Sequence, residues 1–79
     1  MEVFGNPTAT SFRVKASTDK PNDRITLTMF DMSGRLMEVK TNVMNGQLIE
    51  FGNQYRSGTY FVEARQGNNR KVIKLIKYN

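Results

Sequence analysis

Ser57-Gly58-Thr59-Tyr60-Phe61-Val62-Glu63-Ala64-Arg65, then Gly67-Asn68-Asn69, then Lys71-Val72-Ile73-Lys74-Leu75-Ile76-Lys77: the reading of this stretch decides the fold. Tyr60, Val62 and Ala64 alternate with Phe61, Glu63 and Arg65, the period of a strand with one buried face. Gly67-Asn68-Asn69 is a turn. In the segment that follows, Val72, Ile73, Leu75 and Ile76 occupy both parities. That pattern predicts either cover on both faces or a bulge that shifts the phase. A chain end frays unless a sheet ties it down, so apolar residues this close to the end predict a terminal strand that packs.

Outward from there the pattern repeats. Phe12, Val14 and Ala16 alternate with Arg13 and Lys15, a half-buried strand. Asp19-Lys20-Pro21-Asn22-Asp23 is a polar loop. In Ile25-Thr26-Leu27-Thr28-Met29-Phe30 the apolar Ile25, Leu27 and Met29 share one face, with Thr26 and Thr28 on the other. Asp31-Met32-Ser33-Gly34 fits a type I turn, with the aspartate at the first position accepting from amides ahead of it and Gly at the fourth. From Leu36 to Val43 the chain returns, with Met37, Val39, Thr41 and Val43 expected on one face. Asn45-Gly46 predicts a type I′ hairpin, whose two central residues need positive φ, with the chain from Gln47 to Phe51 as its return strand. No segment carries helical periodicity. The expectation is all-β: a small immunoglobulin-like antiparallel β-sandwich of about seven strands.

The 79 residues allow one domain with a thin core. With no cysteine there is no disulfide and no thiolate site, and with no histidine the commonest general base and metal ligand is gone. The seven acids Glu2, Asp19, Asp23, Asp31, Glu38, Glu50 and Glu63 are scattered, and no two form an acid/base pair by spacing. Neither an enzyme nor a bound metal or cofactor is expected. Gly34, Gly46, Gly52 and Gly58 are isolated and make no phosphate loop. No stretch approaches the length of a transmembrane helix, and no signal peptide is present. Residues 1–5 read as a linker remnant of an upstream protein, with the folded domain running over 6–79.

The net charge of +5 is uneven, because Arg65, Arg70, Lys71, Lys74 and Lys77 follow Ala64 with no acid among them. Two readings fit: an edge strand kept from self-pairing by lysine, or a binding surface. A basic nucleic-acid-binding barrel is a third, but its signal is charge and aromatic rings, and most rings here lie on alternating apolar faces where packing is the default. Gly58 reads locally as a loop end needing positive φ. Tyr60 reads as a tyrosine whose hydroxyl bonds nearby backbone, as in the sandwich corner.

The order of the pieces carries more. Asn6-Pro7, a strand ending in Phe30-Asp31-Met32-Ser33-Gly34-Arg35, then Ser57-Gly58-Thr59-Tyr60-Phe61-Val62, and Lys74-Leu75-Ile76-Lys77 at the end together resemble the type A C-terminal sorting domain of the bacterial type IX secretion system. The resemblance runs from about Asn6 to Asn79. It implies a non-catalytic address on secreted cargo of Bacteroidota, with an upstream cargo domain covalently attached. The outer-membrane machinery would read it in the periplasm, and a sortase-like protease would remove it as the cargo reaches the cell surface or medium. It implies no nucleic acid and no stable membrane insertion. On this reading Arg35, Lys74, Leu75, Ile76 and Lys77 are candidates for recognition by the machinery, and Asp31, Gly34, Gly58, Tyr60 and Val62 for the structural motif. The terminal strand would offer its open edge to a partner by strand addition. Against this stands a fibronectin-like or carbohydrate-binding β-sandwich module. The absence of tryptophan weakens the carbohydrate-binding form of that rival, since such sites usually present exposed aromatic platforms.

Overall fold

A computed structural model describes residues 1–17, 20 and 22–78, all strand, turn and loop. Seven strands form: β1 (Glu2–Phe4), β2 (Phe12–Lys15), β3 (Ile25–Asp31), β4 (Leu36–Val43), β5 (Leu48–Phe51), β6 (Gly58–Gln66) and β7 (Asn69–Lys77). They make a three-stranded sheet, β1-β2-β5, and a four-stranded sheet, β4-β3-β6-β7, both antiparallel. The expected all-β sandwich is the observed one. Of the expected loop Asp19-Lys20-Pro21-Asn22-Asp23, Asp19 and Pro21 lie outside the described residues; the Asp23 amide donates to the Lys20 carbonyl at 3.2 Å.

The core sits where the alternation places it. Phe12 and Val14 of β2, Ile25, Leu27 and Met29 of β3, Val62 of β6 and Leu75 of β7 have essentially no exposed surface. Each side chain of this size contributes roughly 1.5–3 kcal/mol on burial. Phe12 stacks on Phe51 across the β2–β5 pair at 5.6 Å between ring centres.

Four details differ from the sequence expectation. First, the sheet starts at Glu2 and not after residue 5: Glu2, Val3 and Phe4 pair with Lys15, Val14 and Arg13, and Val3 packs against the core. Three residues are too few to show a period. Second, β4 holds two register shifts against β3. One extra residue lies between the Ile25–Val43 and Leu27–Lys40 pairs, where Asn42 takes φ 55°, and another, Met37, between the Met29–Glu38 and Phe30–Leu36 pairs. These bulges keep Val43 and Met37 on the core side but turn Val39 outward, opposite Thr28. Third, Asn45-Gly46 does not close a hairpin. Gly46 has φ 82° while Asn45 is not in the positive region, and Gln47 donates back to the Met44 carbonyl at 3.0 Å. The Gly46 amide reaches the Ala16 carbonyl at 2.7 Å, and β5 pairs with β2 in the opposite sheet.

Fourth, β7 is neither covered on both faces nor bulged. Its register with β6 is unbroken from Gly58–Lys77 to Gln66–Asn69. Ile73, Leu75 and Lys77 point inward, while Val72, Lys74 and Ile76 lie on the outer face, Val72 being 48% exposed.

Gly52, at the end of β5, packs against the core where no side chain fits. It takes φ 86°, and an added Cβ would stand 2.8 Å from Cδ2 of Phe12. Since Phe12 is fully buried, it has nowhere to go. Gly52→Ala is expected to lower stability by about 3 kcal/mol, from overpacking plus backbone strain. The same change at Gly34 (φ 88°, with open space around it) meets only the strain of about 1–2 kcal/mol. Urea titration of the two variants checks the difference; equal midpoints would refute the close packing.

Candidate functional site

The residues singled out by sequence gather at one end of the four-stranded sheet, but in two different roles. The β3–β4 hairpin tip is built on Asp31. Its Oδ1 accepts from the Ser33 hydroxyl at 2.7 Å, the Arg35 amide at 2.8 Å and the Ser33 amide at 3.0 Å, and the Gly34 amide donates to its carbonyl at 3.0 Å. These bonds, the Ser33 hydroxyl first and the Arg35 amide next, hold the Asp31 carboxyl below its usual range. The expected aspartate-led turn is present, and it leaves the Arg35 guanidinium three-quarters exposed, with Nε 3.0 Å from Oδ2 of Asp31.

The second group forms the corner where β6 begins and β7 ends. Gly58 (φ 154°) pairs with Lys77. Tyr60 donates its hydroxyl to the Arg56 carbonyl at 2.8 Å, four residues upstream, as the tyrosine corner of such sandwiches does. Its ring lies 4.7 Å from that of Tyr55, whose hydroxyl donates to Oε1 of Glu38 at 2.8 Å. Burial, then the Glu38 carboxylate, push the Tyr55 phenol above its ordinary value, so it stays a donor throughout the physiological range. Val62 is a core residue, facing Met29 on one side and Ile73 on the other.

The four terminal recognition candidates are not one surface. Leu75 has no exposed area, and Lys77 has 6%. The Lys77 ammonium donates to the carbonyls of Thr10, Gly52 and Asn53, a cage of backbone oxygens with no carboxylate among the described residues. Lys77 is therefore not a displayed cation. It shares a face with Leu75 because both lie an even step apart in a regular strand. Only Lys74 and Ile76 face out.

The edge of β7 is also occupied. The Asn6 side chain imitates a strand: Nδ2 donates to the Lys74 carbonyl and Oδ1 accepts from the Ile76 amide, both at 2.9 Å. Thr8 continues it, its amide donating to the Ile76 carbonyl at 3.1 Å and its carbonyl accepting from the Tyr78 amide at 2.9 Å. Strand addition along the last residues is thus pre-empted by the chain's own lead-in segment. The sequence signal available for this was Asn6 itself, a side chain able to donate and accept at once. Among the described residues, no three acidic side chains lie close enough to hold a metal ion. No helix is long and apolar enough to cross a membrane.

Fold and corner together define a small two-sheet β domain whose last strand is held on both edges, by β6 and by the Asn6–Thr8 lead-in. The chain belongs to the secretion system C-terminal sorting domain family, whose model matches residues 2–78. It is a C-terminal sorting signal of type IX secretion, which implies an interaction with the type IX machinery and export through the periplasm to the outside or the cell surface. No curated protein and no solved structure matches the chain significantly.

Proposed function

We propose that the folded domain is a passive address: the outer-membrane export machinery binds it, passes the attached cargo outward, and a sortase-like protease then removes it. It is the substrate of these steps and catalyses none. The observation that carries this reading is the family match over residues 2–78. The scattered acids and the lack of histidine agree with it.

Residues 1–79 fused behind a signal peptide and a reporter test it in a bacterium carrying the secretion system. The reporter is expected at the surface or in the medium, without the domain by mass spectrometry, and in the periplasm of a strain lacking the translocon. Equal periplasmic retention in both strains overturns the reading.

Arg35 remains a displayed cation on a braced tip, three-quarters exposed in its ion pair with the half-buried Asp31. Arg35→Ala is expected to change the melting temperature by no more than about 3 °C, because exposed pairs contribute little, while reducing display. A larger drop in the melt would make Arg35 structural.

A further inference from the structure

The two outer faces of the sandwich are built differently. On the three-stranded sheet, charges face opposite charges across strands: Glu2 beside Lys15, and Arg13 beside Glu50. That face is balanced in charge, and its exposed Phe4 and Leu48 stand apart at the ends of separate charged rows, beside Arg13 and Lys15. On the four-stranded sheet the register sets Leu36, Phe30, Phe61 and Lys74 in one row across all four strands. The next row is Val39, Thr28, Glu63 and Val72. Leu36, Val39 and Val72 are each about half exposed, at 55%, 46% and 48%. This is a contiguous apolar strip on an uncovered sheet face.

Its charge is one-sided. Arg65, Arg70 and Lys74 share the face with a single carboxylate, Glu63. Glu63 is claimed by Arg70 at 3.0 Å and by Arg65 at 3.9 Å. Lys74, at the end of the apolar row, has no ion-pair partner among the described residues. A second copy of the chain would bring the same excess of cations against itself, which disfavours self-association through this face. The row holds two phenylalanines, Phe30 and Phe61, and a single lysine, which suits a protein better than a lipid headgroup layer.

We infer that the outer face of the four-stranded sheet, centred on the Leu36-Phe30-Phe61-Lys74 row, is the surface by which the domain docks on the export machinery, against an apolar protein patch bordered by carboxylates. This rests on the sorting role proposed above. The residues read from the terminal strand are then Lys74 and Ile76, with Leu75 and Lys77 holding the strand in place.

The test uses the reporter fusion. Leu36→Glu/Lys74→Glu alters both ends of the row at exposed positions, Lys74→Gln is a milder second variant, and Leu48→Glu is a control on the opposite face, where Leu48 sits beside Lys15. All should melt cooperatively. Display is expected to fall at least tenfold (about 1.4 kcal/mol) for the double variant, to fall partially for Lys74→Gln, and to stay unchanged for Leu48→Glu. Display equal to the parent in both Lys74 variants overturns the inference while leaving the sorting role intact. Failure of the parent fusion itself to reach the surface removes the sorting role, and the docking face with it. Flotation of the isolated domain with phosphatidylglycerol vesicles, or a concentration-dependent dimer, lost in either case in the double variant, would assign the face to lipid or to a second copy and overturn it too.

Discussion

A chain lacking residues 74–79 is expected not to fold at all. The deletion takes away the Leu75 side chain, worth about 2–5 kcal/mol in a core of this kind. It also removes four rungs of the β6–β7 ladder, those of Gly58, Thr59, Tyr60 and Phe61, and the ammonium that gathers the carbonyls of Thr10, Gly52 and Asn53. A single core in a domain this small rarely supplies more than about 3–5 kcal/mol in total. Circular dichroism should show no cooperative melt. A truncated domain melting within about 10 °C of the parent would show that β7 is dispensable. Loss of surface display on truncation therefore reports loss of the sandwich, and by itself says nothing about which residues a receptor touches.

The second large effect is expected at Lys77. Lys77→Met keeps most of the apolar stem and removes the donor. The Gly52 carbonyl stays buried, since Gly52 is pinned against Phe12, and those of Thr10 and Asn53 stay part-buried, Thr10 being tied to Thr8 by a 3.1 Å bond from its amide to the Thr8 hydroxyl. Each unmet acceptor costs roughly 1–3 kcal/mol, partly offset because the ammonium no longer has to leave water. A net loss of about 2–4 kcal/mol follows, a fall in melting temperature of more than about 10 °C. Lys74→Met, on the outer face, should shift the melt by only a few degrees. If the two variants melt alike, the caged role of Lys77 is wrong.

The contrast between these two lysines shows what sequence reasoning reached. β2, β3 and β6 were legible because each sets an unbroken apolar series on one side, with polar residues on the other apart from Phe30 and Phe61, and burial follows that parity. The Asp31 turn and the Tyr60 corner were legible because their bonds are local, spanning four residues at most. Lys77 was not, because a lysine reads as solvent-facing by type even where its parity with Leu75 places it inside. Its partners come from residues 67, 25 and 24 positions away, which no local pattern records. The Asn45-Gly46 turn misled for the same reason. Gly46 meets the local requirement for positive φ, but which sheet β5 joins is decided by Phe12 and Phe51 stacking across β2. In β4 the Met37 and Asn42 bulges break a period that the sequence displays intact.

The Asn6 bridge bears on synthesis. Asn6 leaves the ribosome well before its partners, since the groups it holds belong to residues 68 and 70 positions later. A nascent polypeptide interrupted before Lys77 emerges has an unclosed margin and an empty carbonyl cage. The closed sandwich thus forms only after translation has passed through β7, and on the address role proposed above half-made cargo would carry no valid passport.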